Sequence, residues 1–284
     1  MTRSRIPWLI FIAIICIVTG SVGAIVVTYK NNLTDASRVV SSLFKEVPFL
    51  NDNASKQYKL QEKITVITPA TVRIIATGGD IEIRESIANQ IALDFVVPYT
   101  PQKLDVAMMQ RDGDTIVIDS KAIWTNLTGN VSQPVFAIHV AVPAGTTIEI
   151  RNTIGDITLD ASLAHVTIDA SLGDIDVRST QIGHLDAQIA VSGSISGKAP
   201  ASSNITLKTG DANLDVTQPG THTIRTTTGD VTVQVDPTLI VALRHSVGNG
   251  DFTSELTTTA TDTVNTYLYV SSETGDVTVT QAKN

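Results

Sequence analysis

The sequence predicts an all-β fold of the solenoid type, a ribbon wound into coils of about 20 residues. Gly-Asp-(apolar)-x-(apolar) recurs along the chain as Gly79-Asp80-Ile81, Gly155-Asp156-Ile157, Gly173-Asp174-Ile175, Gly229-Asp230-Val231 and Gly275-Asp276-Val277, with weaker copies at Gly193-Ser194, Gly210-Asp211 and Gly250-Asp251. From Gly155 these glycines follow one another at 18, 20, 17, 19, 21 and 25 residues, and a steady period of this length marks a repeat whose apolar face is buried only by stacking on the next. The composition agrees. Aromatics make up 5% of the 284 residues, while Thr, Val and Ile are abundant, a mix that suits a narrow, aliphatic β-interior.

The N-terminus reads first as a membrane segment. Arg3 and Arg5 precede an uncharged run over 6–29 that Lys30 closes, long enough to cross a bilayer core of about 30 Å. The arginines favour a cytoplasmic tail at 1–5 and an exported remainder. A cleaved signal peptide is the alternative, with Ser21-Val22-Gly23 or Val22-Gly23-Ala24 as cleavage site; Ile25-Val26-Val27 extend the apolar run past it and favour an uncleaved anchor. Residues 30–56 read as a helical stalk, since Leu33, Ala36, Val39, Val40, Leu43, Phe44 and Val47 keep helical spacing, with Thr34 or Asp35 able to cap its start and Pro48 its end.

Residues 57–145 read as an irregular β lead-in. β-type runs fall at 63–67, 71–76, 80–84, 91–97, 103–108, 115–119 and 135–142, separated by turn signals at Pro69, Gly78-Gly79, Pro98, Pro101, Asp112-Gly113-Asp114 and Pro143-Ala144-Gly145. From 146 to 284 each repeat offers two short strands, one after the Gly-Asp turn and one about ten residues on. Alternate residues point inward, so Ile157, Ile175 and Val231 are expected to stack as one aliphatic column. The copy at Gly193-Ser194 departs from the pattern, and the segment after Gly250 is long, so irregular coils are expected there. The lead-in is expected to cover one end of the solenoid, and 251–270, with Tyr267 and Tyr269, the other.

These repeats resemble the putative adhesin family, a domain-of-unknown-function group of bacterial and archaeal envelope proteins. The likeness rests on the coils Asn152-Thr153-Ile154-Gly155-Asp156 and Ala170-Ser171-Leu172-Gly173-Asp174, behind a strand ending in Val142-Pro143-Ala144-Gly145. The resemblance implies a β-solenoid displayed at the cell surface, in adhesion or envelope-stress sensing, and supplies no catalytic residues.

The chemistry on offer is sparse. The single cysteine, Cys16, lies in the apolar segment, which excludes an intrachain disulfide and a Cys-x-x-Cys zinc site. A net charge of −8 argues against nucleic acid as a partner. The turn residues Gly79, Asp80, Gly155, Asp156, Gly173, Asp174, Gly210, Asp211, Gly229, Asp230, Gly275 and Asp276 read as structural, each aspartate capping its own turn. Stacked in register, Asp156, Asp174, Asp211 and Asp230 are also calcium candidates, and carboxylates so placed could act as a pair on a polysaccharide. His165, His184 and His222 fall at similar distances after their turns and could share one edge, for metal binding or pH sensing. Asn-x-Ser/Thr sequons begin at Asn32, Asn53, Asn126, Asn130 and Asn204, and Trp124 and Tyr99 lie in the lead-in. No cofactor is called for.

The reading is therefore a single-pass envelope protein whose solenoid, outside the cytoplasm, serves non-catalytic surface interaction with an envelope protein or glycan. The alternatives are a regulator of envelope stress acting through a membrane partner and a polysaccharide-active enzyme on the same scaffold.

Overall fold

The structure, a computed structural model, describes residues 57–66, 70–87, 89–98, 109–120, 137–179, 181–256 and 263–282, all within one compact unit spanning Asn53–Asn284. The cytoplasmic tail, membrane segment and stalk read at 1–56, Cys16, the strand read at 103–108, Tyr99, Trp124 and the sequons at Asn32, Asn53, Asn126 and Asn130 lie outside the described residues. Among the described residues no helix is long and apolar enough to cross a membrane.

In chain order the strands are β1 (Gln57–Thr65), β2 (Thr71–Ala76), β3 (Asp80–Glu85), β4 (Gln90–Pro98), β5 (Met109–Asp112), β6 (Thr115–Asp119), β7 (Ala137–Val142), β8 (Thr146–Ile154), β9 (Ile157–Asp160), β10 (Leu163–Leu172), β11 (Ile175–Val177), β12 (Ile182–Ser192), β13 (Ile195–Lys198), β14 (Ser202–Thr209), β15 (Ala212–Val216), β16 (Gly220–Thr228), β17 (Val231–Val235), β18 (Val241–Asn249), β19 (Phe252–Ser254), β20 (Thr266–Thr274) and β21 (Val277–Gln281). They form two sheets. One runs β1-β4-β7-β3-β9-β11-β13-β15-β17-β21-β19, the other β18-β20-β16-β14-β12-β10-β8-β2-β6-β5. A parallel ladder needs a crossover between neighbours; here each coil is its own crossover, leaving one sheet at the corner glycine and returning through the other.

Inward residues match across the coils. Ile81, Ile157, Ile175, Ile195, Ala212, Val231 and Val277 stand in one register column, and Val72, Ile148, Val166 and Leu185 head the column opposite. These side chains join a single core cluster and are almost wholly buried. Each Val, Ile or Leu so buried contributes roughly 1.5–3 kcal/mol. The repeat strands are longer than the sequence suggested, because each run in the second sheet continues to the corner, as Leu163–Leu172 does. The coil at Gly193-Ser194, expected to be irregular, keeps its parallel pairing on both sides.

The chain does not stack its coils in sequence order. β20 and β21 insert between β16/β17 and β18/β19. At the other end β2 and β3 insert between β6/β7 and β8/β9. The two ends also finish differently. β4 adds antiparallel to β7 and β1 antiparallel to β4, and β5 adds antiparallel to β6; Arg111 Nη2 donates to the Thr65 carbonyl at 2.9 Å and the Met109 N–H to Glu62 Oε2 at 2.9 Å, tying the two sheet edges together. At the far end β18 and β19 are outermost. Their inward positions, among them Leu243, Val247 and Phe252, are only partly buried. Tyr267 and Tyr269, expected to cover this end, instead point outward from β20, because their phase is opposite to that of buried Leu268 and Val270.

Candidate functional site

The repeated corner is a continuous column. Gly79, Gly155, Gly173, Gly193, Gly210, Gly229, Gly275 and Gly250 lie one beyond the next, and a Cβ on each from Gly155 onward would meet the carbonyl of the preceding glycine at under 3.0 Å. Glycine is thus required twice, by that contact and by a positive φ, +132° at Gly173. The aspartates do not cap their own turns, as the sequence suggested, but the turn of the adjoining coil. Asp80 Oδ1 accepts the Asp156 N–H at 3.1 Å, Asp156 Oδ1 that of Asp174 at 2.9 Å, and Asp174 Oδ1 that of Ser194 at 2.7 Å. Beyond Ser194, whose hydroxyl takes the Asp211 N–H at 3.4 Å, the ladder resumes at 2.8 Å from Asp211 to Asp230, Asp230 to Asp276 and Asp276 to Asp251. One oxygen of each of the Asp80, Asp156, Asp174, Asp211, Asp230 and Asp276 carboxylates is thereby committed to a backbone donor, which offsets the repulsion between successive charges. All seven aspartates of the column are solvent-exposed. Among the described residues no group of three or more His, Cys, Asp or Glu side chains is arranged to hold a metal ion, and Asp156, Asp174, Asp211 and Asp230, the calcium candidates of the sequence, stand in the turn ladder.

Two of the three histidines read as one edge do share it. His165 and His184 are register partners with stacked rings, 5.0 Å apart and 17° from parallel. Asp186 Oδ2 lies 3.1 Å from His184 Nε2 and 3.8 Å from His165 Nε2. His222 points inward instead. It pairs with inward Ser203, is fully buried, and approaches the Ser203 hydroxyl with Nδ1 at 3.1 Å while Nε2 has no partner. Burial pushes its pKa down to about 4. His139 sits on the outer face of the first sheet, 2.8 Å from Glu82, whose carboxyl Arg84, and to a smaller extent His139, holds below the usual carboxylate range.

The two outer faces are flat, polar and ruled by strand register. On the second sheet one row reads Arg73, Glu149, Thr167, Asp186, Asn204, Thr223, Tyr269, Arg244. A shallow groove of about 400 Å³ crosses it, bounded by Glu149, Arg151, Asp169, Asp186, Gln188 and Asn204. Sequence reasoning noted Asn204 only as a sequon, and it stands exposed in mid-strand beside this groove. Glu149 is held by Arg73 at 2.7 Å. On the first sheet the equivalent row is Asp94, His139, Glu82, Thr158, Asp176, Ser196, Asn213, Thr232 and Thr278.

A two-sheet parallel β-solenoid with a glycine-aspartate corner and broad polar walls defines the class. Within it the chain belongs to the Toastrack family of domains of unknown function (Toastrack DUF4097), whose model matches residues 70–284, in agreement with the resemblance read from the repeats. No curated protein matches the chain. Among solved structures, it is similar to a putative cell adhesion protein from Clostridium sporogenes ATCC 15579, at 12% identity, covering 80% of this chain and 100% of that one, with a TM-score of 0.39. It is also similar to a putative adhesin from Bacteroides fragilis NCTC 9343 (15% identity, 81% and 99% covered, TM-score 0.42). A putative adhesin from Parabacteroides distasonis ATCC 8503 is a third (12%, 79% and 97%, TM-score 0.42).

Proposed function

We propose that this protein is a membrane-anchored, non-catalytic display module of the cell envelope, held by the apolar segment at 6–29 with the solenoid outside the cytoplasm. It binds an envelope protein or glycan along its side walls. The observation that carries the reading is the form of those walls: long rows of polar side chains at the strand spacing of about 4.8 Å, supported on a fully packed aliphatic core. Such a surface suits an extended, repeating partner better than a small substrate, because the groove that crosses the second sheet is shallow and open. Within that groove Glu149 is engaged by Arg73 and Asp186 by His184, so two of its carboxylates already have side-chain partners. The test is a binding screen of the full-length protein against envelope fractions and glycans, with cell fractionation to locate it. Saturable binding without turnover supports the proposal. Breakdown of a polymer that Asp169→Asn or Asp186→Asn abolishes would make the protein an enzyme, and recovery in the soluble cytoplasmic fraction would remove the anchor.

A further inference from the structure

We infer that the β16–β20–β18 end of the second sheet's outer face is a binding site for an acidic polysaccharide, one whose sugars carry carboxylates. The inference rests on the surface-interaction reading above and names the ligand class and the residues. Four side chains carry it. Tyr267 and Tyr269 project from β20 two positions apart, hence about 7 Å along the strand, and are 46% and 36% exposed. On such a regular polar wall, two adjacent tyrosines are a departure that packing does not explain, since neither contributes to the core. The other two are Arg225 and Arg244. Arg225 on β16 and Ser246 on β18 are both register partners of Ser271, and Arg244 partners Tyr269, with its guanidinium 5.8 Å from that ring.

Both arginines are exposed, and neither meets a carboxylate among the described residues. By contrast Arg73, Arg84 and Arg178 each hold one at 2.6–2.7 Å. In a chain of net charge −8, two unneutralised guanidinium groups on one small patch form a local cationic site that its own surface does not satisfy. Between them lies a dimple of about 190 Å³ bounded by Arg225, Arg244, Ser246, Tyr269 and Ser271. A guanidinium fork matches a carboxylate with two parallel hydrogen bonds, and the serine hydroxyls can complete its shell. The apolar C–H face of a pyranose suits an aromatic ring whose hydroxyl stays in water. A uronate in the dimple thus places its own ring against Tyr269 and the next sugar over Tyr267. Glu273, outward on β20 beyond Ser271, closes the patch to further negative charge on that side. An acidic peptide would satisfy the arginines but leave the paired rings without a role.

The experiment is affinity electrophoresis of the full-length protein through gels containing polygalacturonate, dextran or polyglutamate. Retardation by polygalacturonate alone is expected. Arg225→Gln, Arg244→Gln and Tyr267→Ala should each weaken it about tenfold or more, the scale of one lost charge-assisted hydrogen bond or ring contact, with unchanged melting temperatures because all three side chains are exposed. Absence of retardation by polygalacturonate, equal retardation of wild type and variants, or equal retardation by polyglutamate overturns the inference. Envelope-fraction binding that persists while polygalacturonate fails overturns this ligand class and leaves the surface-interaction reading intact; loss of both overturns both.

Discussion

Asp230 is the place to test the corner ladder, because it has a charged neighbour on each side. Its Oδ1 accepts the Asp276 N–H at 2.8 Å, and its own N–H donates to Asp211 Oδ1 at 2.8 Å. Two effects oppose each other there. The cap contributes about 1–2 kcal/mol, as side-chain oxygens on otherwise free backbone donors do. Carboxylates at the coil spacing of about 4.8 Å repel by about 0.9 kcal/mol per pair in water, and screening at physiological salt leaves about 1 kcal/mol for the two neighbours together. Asp230→Ala loses the cap and relieves the repulsion, so it should be neutral or destabilising by up to about 1 kcal/mol. Asp230→Asn keeps an acceptor oxygen and relieves the same repulsion, so it should stabilise by up to about 1 kcal/mol. The two variants therefore differ by about 1–2 kcal/mol, several degrees in melting temperature for a unit of this size. Thermal unfolding at low and high sodium chloride reads it, and salt should raise the wild type more than the Asn variant. If Asn proves as damaging as Ala, the carboxyl charge itself is needed at the corner, and the account of the ladder as a set of turn caps fails.

Gly173→Ala should cost at least about 3 kcal/mol or prevent folding, since its Cβ would collide with the Gly155 carbonyl at a φ of +132°; Gly113→Ala, at φ +60° with nothing within 4 Å, should cost only about 1–2 kcal/mol, and comparable losses would contradict the stacked corner. Leu185→Ala, at 0% exposure in the interior column, should destabilise by about 2–5 kcal/mol in urea unfolding. His222 makes folding pH-dependent: the unfolded chain takes up this proton near pH 6.5 and the folded chain only near 4, so the stability it protects is whole above pH 6.5 and is lost as pH falls towards 4, about 3 kcal/mol in all. His222→Leu should flatten the fall in melting temperature between pH 7 and 4.5, and an unchanged slope would mean that His222 is not the group responsible.

The corner glycines and the aliphatic columns were legible because both repeat at a fixed phase. Val72, Ile148, Val166, Leu268 and Leu243 all stand seven residues before a corner glycine, and His222 stands seven before Gly229. Counting back from the next glycine, and not forward from the last, would have placed His222 inside and His165, eight before Gly173, outside. His184 escapes the simple count because its strand carries a register irregularity near Ile189 and Ser192. The direction of the aspartate bonds was not legible, since a short carboxylate reaches its own turn and the next turn with equal ease. Nor was the swapped order of the coils. Every corner offers a glycine, a side-chain acceptor and then an apolar residue, so β17 can receive β19 or β21 equally well as far as that pattern goes. The long segment before Gly275 signalled a detour but not where it leads.

That swap governs how the far end comes apart. The strands that precede and follow β18 and β19 in the chain, β17 and β20, both lie deeper in the stack. The outermost layer is therefore a tethered loop and not a free tail. It cannot fray residue by residue as a terminal repeat does; it opens only as a closed circuit whose two feet stay planted, and such a circuit gains less entropy on release than a dangling strand. Exchange of the β18 amides should accordingly be slower than their exposure suggests, and a single backbone cut between β19 and β20 should release it.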